Sequence, residues 1–172
     1  ANDPLREVHV GTAHTCWLSA AGAVACWVHT DAGSITPPDG IVLEKLSVGG
    51  FAACGLDNTG AIHCWGRQEL TTAPSGTGFM DVSVGHNAAC AIRDDLTVAC
   101  WGDALIVDET PGPDFLASTI EVGAHGACAL FADSDIRCWG RGIRDRIADP
   151  SSNHSIEELA TGSTHIRASS QR

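Results

Sequence analysis

The sequence predicts an all-β chain: an array of four full repeats and a partial fifth, with one hairpin disulfide in each full repeat. Three observations carry this. Cysteines recur in phase: Cys16, Cys54, Cys90 and Cys128 stand 36 to 38 residues apart, and each is followed ten positions later by Cys26, Cys64, Cys100 or Cys138. Apolar residues around them alternate with period 2, as in Val82-x-Val84 and Val98-x-Cys100, the spacing of strands with one face buried. The stretches between are rich in Gly, Pro, Asp and Thr, which punctuate turns and loops.

Each unit opens on an apolar-x-apolar pair: Val8 and Val10, Leu46 and Val48, Val82 and Val84, or Ile120 and Val122. Gly11, Gly49, Gly85 or Gly123 follows at once, and the first Cys comes five residues later. Leu18, Leu56, Ile92 or Leu130 stands two beyond it, and Val24, Ile62, Val98 or Ile136 stands two before the second Cys. Trp27, Trp65, Trp101 or Trp139 comes directly after the second Cys. Agreement at so many positions in four copies excludes coincidence and marks a tandem-repeat protein. The 172 residues are expected to form a single repeat domain, with repeats over about 8–42, 46–78, 82–116 and 120–155 and a partial one over 159–172.

A turn lies between the two Cys of each unit. Folding the second copy so that Cys54 faces Cys64 pairs Leu56 with Ile62 and leaves 58–60 at the tip, with Gly60 in the left-handed position of a three-residue loop. Gly22 sits equivalently, whereas Leu96 and Ser134 take that place in the third and fourth copies, so those two turns are expected to differ. The connecting segments, such as Thr36-Pro37-Pro38-Asp39-Gly40 and Thr110-Pro111-Gly112-Pro113, read as loops with at most one short outer strand each, and no helix is expected.

The hairpin register places the two Cys of each unit opposite one another, at a separation that a disulfide bridges. Zinc ligands come in close pairs two to four residues apart, and no such pair exists here. A helical hairpin needs apolar residues at 3.6 spacing and no Asp-Asn-Thr-Gly in its middle. Four disulfides imply an oxidising compartment, so the chain is expected to be secreted, extracellular or at a cell surface. They also compensate for a thin core, since aromatics make up 5% of the residues and Tyr is absent.

The formal net charge is −11, with ten Lys and Arg in all, which argues against nucleic acid and against an anionic membrane surface as partners. No run of about 18 apolar residues exists to insert in a membrane. The first residue is Ala1 rather than Met, as after removal of a signal peptide or in a chain begun there by choice.

The unit apolar-x-Val-Gly-x4-Cys-x-Leu/Ile-x5-Val/Ile-x-Cys-Trp, usually followed by Gly, resembles the regulator-of-chromosome-condensation repeat, in the cysteine-containing form of secreted bacterial proteins and plant receptor-kinase ectodomains. The resemblance runs from about Val8 to Ile166 and implies a β-propeller-like array in which each repeat supplies about one four-stranded blade. Seven blades are usual in that family, against four repeats and part of a fifth here. The fifth keeps Gly162 and its flanking strand, but Arg167 and Ser169 replace the first Cys and the inward Leu. It is expected to be one strand, from Leu159 to Ile166, whose unpaired edge makes an assembly contact at a native chain end, on the chain's own first blade or on that of the next copy; the alternative is a degenerate repeat cut from a longer protein. The family's founding activity, nucleotide exchange on a nuclear GTPase, does not carry over. A nuclear protein would not hold four disulfides, and no loop here matches an exchange surface. A secreted β-lactamase inhibitor built from the same repeat implies that the loops of such a scaffold can form a protein-binding face.

No nucleophile motif, phosphate loop or carboxylate pair suggests catalysis, and neither a catalytic residue nor a cofactor is expected. Eight His invite a metal reading, but His14, His86, His125 and His165 drift in position relative to their glycines, so no metal site is expected. Asp94-Asp95 and Asp108-Glu109 read as solvated turn and loop acids. The four framework Trp are expected to be buried, each against its own disulfide and the neighbouring blade. Trp17 breaks the pattern by following a first Cys and is a candidate for binding. Residues 1–136 carry 4 basic and 17 acidic side chains, whereas 137–172 carry 6 and 4, with Arg137, Arg141, Arg144 and Arg146 as a dense basic stretch suited to an acidic partner. Asn153-His154-Ser155 is an N-glycosylation sequon. The expected function is a structural or interaction module that assembles through its repeat edges into an oligomer or fibre. Leu159, Arg167 and the basic stretch would make the contacts, and the partner would be protein, above all copies of the same chain. The alternative is a monomeric binding module, a protein inhibitor or lectin-like domain, that takes a foreign protein or a carbohydrate on its blade loops.

Overall fold

The computed structural model describes residues 3–28, 35–131, 136–140, 158–161 and 166–169. The strands are β1 (Leu5–Val10), β2 (His14–Ser19) and β3 (Val24–Val28) in the first repeat, then β4 (Lys45–Val48), β5 (Ala52–Leu56) and β6 (Ile62–Gly66) in the second. The third holds β7 (Phe79–Val84), β8 (Ala88–Arg93) and β9 (Val98–Gly102), and the fourth β10 (Ala117–Val122), β11 (Gly126–Phe131) and β12 (Ile136–Gly140). Among the described residues each of these four repeats is an antiparallel meander of three strands in sequence order. The chain is thus an all-β array of propeller-like blades, and the four-stranded blade that the resemblance implies is corrected to three strands per repeat.

A helical turn stands where an outer strand was expected. The connecting segment holds a 3-10 turn at Gln68–Leu70 in the second repeat and a single helical turn, α1 (Ala104–Val107), in the third. The expectation of no helix is corrected accordingly. The cause is local: Gly66 and Gly102 end their strands at φ of 104° and 99°, and the Asp103 carboxylate accepts the Leu105 N–H at 2.9 Å to cap α1. Each turn delivers one buried plug, Leu70 or Ile106, into the space between blades.

The hairpins follow the expected register. Cys54 stands opposite Cys64 and Leu56 opposite Ile62, and the other repeats match. The disulfides are Cys16–Cys26, Cys54–Cys64, Cys90–Cys100 and Cys128–Cys138, with Cα atoms 4.0 to 4.1 Å apart. The third turn does not differ as expected. Leu96 itself takes φ 68° and donates its N–H to the Arg93 carbonyl, the bond Gly22 makes to Ser19 and Gly60 to Asp57. A neighbouring side chain offsets that strain: the Asp95 carboxylate accepts from the Thr97 N–H and hydroxyl at 3.0 and 2.6 Å, as Asp57 does from Thr59. Ser134 lies outside the described residues.

The partial fifth repeat also departs from expectation. It is two strands, β13 (Glu158–Thr161) and β14 (Ile166–Ser169), paired antiparallel with Ala160 opposite Arg167. One strand with an unpaired inner edge is therefore incorrect: β14 covers the β13 edge, and β13 packs on β10. No helix among the described residues is long and apolar enough to cross a membrane.

Candidate interaction surface

Strand alternation gives every blade two faces, and the buried clusters show which neighbour each face meets. The Cys and Leu positions point forward, onto the next blade; the residues between them, with the Trp, point backward. Thus Cys16, Leu18 and Cys26 pack with Leu46, Ala53 and Trp65 of the second blade. Cys54, Leu56 and Cys64 pack with Val82, Val84, Ala89, Ala91 and Trp101 of the third. Cys90, Ile92 and Cys100 pack with Ile120, Val122, Ala127, Ala129 and Trp139 of the fourth. Trp65, Trp101 and Trp139 therefore each seat against the disulfide of the preceding blade, not their own as expected, because adjacent residues on a strand point to opposite faces. Trp101 is fixed further by its indole N–H, which donates to the Leu70 carbonyl at 2.8 Å.

Backbone contacts tie successive blades at the corners that hold the repeat glycines. Gly50 N–H donates to the Gly85 carbonyl at 3.0 Å, and His86 N–H to the Gly123 carbonyl at 3.4 Å. The Ser47 hydroxyl accepts from Val84 N–H and the Ser83 hydroxyl from Val122 N–H, each at 2.9 Å. The repeat glycine is needed for closeness, not for a special φ: a Cβ on Gly49 would lie 2.0 Å from the Gly85 carbonyl oxygen, and one on Gly85 would lie 2.2 Å from that of Gly123. Around these corners lies a cleft of about 330 Å³, lined by 10–12, 48–50, 84–86 and 122–124.

The first blade has no blade behind it in this chain. Its backward residues occupy the register of the buried ones elsewhere, with Val8 opposite Trp17 as Val82 is opposite Ala91. Yet Val8 is 53%, Val10 73% and Trp27 56% exposed, whereas Trp65, Trp101 and Trp139 are 5–6% exposed. The expectation that Trp27 is buried is thus corrected, and Val8 and Val10 do not form the buried face that their period-2 spacing suggested. Trp17, half-buried, belongs to the same apolar face. Glu7 and His9 stand on β1, with His9 Nε2 3.0 Å from the Glu7 carboxylate.

Of the other candidate residues, Arg137 is engaged inside its blade: its guanidinium lies over the rings of Phe115 at 4.1 Å and Phe131 at 5.2 Å. Arg141, Arg144, Arg146 and Asn153 lie outside the described residues. Leu159 and Arg167 are placed on β13 and β14 by their backbone. His14 is buried, His86 meets the edge of Phe51 at 5.1 Å, and His125 is exposed. Among the described residues no three His, Cys, Asp or Glu come together as metal ligands would. Glu109 accepts the Gly140 N–H at 2.9 Å. Asp57 accepts the Thr59 hydroxyl at 2.7 Å and pairs with His63 at 2.8 Å, contacts that hold its carboxyl well below the usual carboxylate range. Asp95 is lowered in the same way, first by the Thr97 hydroxyl.

No protein-family model matches the sequence, and no curated protein matches it. Solved structures do. The ectodomain of the Physcomitrella patens receptor kinase CR4 is similar at a TM-score of 0.73 and 27% identity, over 92% of this chain and 45% of that one. The CRINKLY WD40 ectodomain of the Arabidopsis thaliana receptor kinase ACR4 is similar at 0.68 and 26%, over 80% and 50%. Prp20p of Saccharomyces cerevisiae, the yeast RCC1, shares the fold at 0.75 and 15%, over 97% and 56%. The chain spans about half the length of these structures. In its fold the chain is similar to propellers of the regulator-of-chromosome-condensation type: among the described residues it has four disulfide-clasped three-stranded blades followed by a two-stranded fifth repeat.

Proposed function

We propose that the chain is a secreted structural or interaction module, without catalytic chemistry, that associates with copies of itself through the ends of its repeat array. The observation that carries this reading is the apolar backward face of the first blade, where Val8, Val10 and Trp27 are each more than half exposed. In the three blades that follow, the same register positions pack against a neighbour and are buried, except for the half-buried Val48. The four disulfides and the likeness to two receptor-kinase ectodomains support an extracellular setting. The likeness to Prp20p, whose structure was described with its binding to Gsp1p and histones, supports protein as the partner class. The described acids favour a structural reading over a catalytic one, since Asp57 and Asp95 hold turns, Asp103 caps α1 and Glu109 caps a strand end.

A second reading, a monomeric binding module, draws on the cleft of about 330 Å³ at the glycine corners, large enough for a small ligand or an inserted loop. Sedimentation velocity from low micromolar to millimolar concentration separates the two. Self-association predicts a weight-average mass that climbs above 17.8 kDa as concentration rises. A mass that stays at 17.8 kDa throughout rules it out and leaves the binding module.

A further inference from the structure

The geometry points to a binding site for a small monocarboxylic acid where the second and third blades meet. Arg67 and His86 hold the carboxylate, and the short apolar tail enters the cleft at the glycine corners. The site gives a chemistry to that cleft and lies between two internal blades, so it does not depend on whether the chain self-associates. The backbone of the joint is a repeated feature. Arg67 N–H donates to the Phe51 carbonyl at 2.9 Å, and in the next repeat Asp103 N–H donates to the Asn87 carbonyl at 2.9 Å. The set of side chains is not repeated. Gly50 stands where other repeats have Thr12, His86 and Ala124, and Phe51 where they have Ala13, Asn87 and His125. Arg67 takes the place of His29, Asp103 and Arg141. What is particular to this joint is therefore not required to build a joint.

Residues 1–136 carry four basic side chains, Arg6, Lys45, Arg67 and Arg93. Arg6 and Lys45 face the carboxylates of Glu7 and Asp81, each at 3.1 Å, and Arg93 lies 4.6 Å over the Phe79 ring of its own blade. Among the described residues Arg67 is in no ion pair. Neutral groups hold it instead. Its guanidinium lies 4.5 Å over the Phe51 ring, and one N–H donates to Asn87 Oδ1 on the third blade at 2.6 Å. The charge is thus fixed in place without being compensated, and the remaining fork fits a carboxylate bidentately. His86 supplies a second donor, since even a neutral imidazole carries one N–H. Its ring packs on Gly50, where a Cβ would lie 2.5 Å from Nδ1, and meets the edge of Phe51. Arg67, Phe51, His86 and Asn87 are all half-buried, so they are positioned by packing and still reachable. Gly50 and His86 also line the cleft of about 330 Å³, together with Val48, Val84 and Val122. Charged cluster and cleft therefore share a wall, and the cleft is of a size for an acid of a few carbons. A single guanidinium matches a single negative charge. A phosphate group, at about −1.5 to −2, would bring more charge than one guanidinium offsets. It would do so on a chain whose formal net charge is already −11.

The test is a ligand-observed NMR titration of the full chain with butyrate, which is expected to bind saturably in the millimolar range. Arg67→Gln should weaken binding by about tenfold, the loss of a charged hydrogen-bonding partner. Arg67→Lys should weaken it less, since the charge stays and only the fork is lost. His86→Ala should also weaken it, and circular dichroism verifies that each variant keeps the wild-type fold. Butyramide, the neutral counterpart, is expected to bind about tenfold more weakly than butyrate. That comparison needs no variant, so it tests the charge even where Arg67→Gln fails to fold. Acetate is expected to bind about threefold more weakly than butyrate, because it lacks two methylenes that the cleft partly buries. Inorganic phosphate should bind more weakly than butyrate. The inference is overturned if butyrate shows no saturable binding, or if butyramide or Arg67→Gln matches butyrate on the wild type. Acetate as tight as butyrate takes the cleft out of the site, and phosphate as tight as butyrate makes it a general anion site; either result also overturns the inference. Sedimentation velocity decides self-association separately, so each idea can fail without the other.

Discussion

A single glycine per blade sets how closely the blades approach. The Gly85 carbonyl sits where the Gly49 Cβ would be, and the Gly123 carbonyl does the same to Gly85. Neither atom belongs to a flexible side chain, so the backbone of one blade must move to admit a methyl group. The expected cost of Gly49→Ala is about 1–3 kcal/mol, the range for forcing extra atoms into a packed region. Gly112→Ala is the control, because a Cβ there meets nothing within 4 Å. It should be neutral or slightly stabilising through the unfolded chain. Urea denaturation of the two variants checks this, and equal midpoints would contradict it. The recurrence of these glycines was legible in the sequence, but their cause was not, since an internal alignment shows that a residue repeats without showing which atom approaches it. The same limit explains Trp27. Its sequence context is that of Trp65, Trp101 and Trp139; what differs is the blade behind it, a neighbour in space and not in the local sequence.

Within a repeat, hairpins were the most legible element and their tips the least. Period-2 spacing and the ten-residue Cys separation fixed the strand register, and Gly22 and Gly60 marked two left-handed turn residues that the structure bears out. Leu96 was misread because side-chain identity stood in for backbone conformation. The carboxylate beside it, bonded to Thr97, lets a leucine do the work of a glycine. Helical turns in the connecting segments were missed for a related reason: four residues are too few to show a 3.6 period, and the signal, Asp103 as a cap, is short. The Asp57 turn is a place to test the capping chemistry. Its carboxyl is lowered by the Thr59 hydroxyl first and His63 second, so the folded state favours the ionised form. A depressed folded pKa contributes stability above the unfolded value of 3.8 and loses it as pH falls through the folded value. Asp57→Asn should therefore lower the melting temperature at pH 6–7, and the gap from wild type should shrink below about pH 4, where the carboxyl of the unfolded wild-type chain takes up a proton while that of the folded chain stays ionised. A gap that is constant with pH would show that the amide loses geometry and not charge.

On the scale of the molecule, stability is a sum over blades and over the contacts between successive blades. The β-repeat array was legible from the in-phase motif, and its propeller-like architecture from the family resemblance that the motif carries. The order of forward and backward faces needed the structure, because alternation defines two faces without saying which neighbour each one meets. Disulfides stand at the centre of both contributions. Each clasps its own hairpin, and Cys16, Cys54, Cys90 and Cys128 are each completely buried, the first three among the Trp, Leu and Ala contacts of an interface between blades. Closing a loop of this size contributes about 2–3 kcal/mol on the chain-entropy estimate. Four of them then approach the whole stability of an ordinary domain, about 5–15 kcal/mol. The aromatic core is too small to replace that, with three of the five Trp packed between blades and Tyr absent. Reduction should therefore unfold the chain. Incubation with a thiol reductant, followed by circular dichroism and Trp emission, is expected to show loss of β signal and a red shift of the buried indoles. The Cys54→Ala, Cys64→Ala pair removes one clasp and should cost about 2–3 kcal/mol while leaving the other three repeats oxidised. A fully reduced chain that keeps its native spectrum and melting temperature would mean that blade packing alone holds the array, and that the disulfides are not its main source of stability.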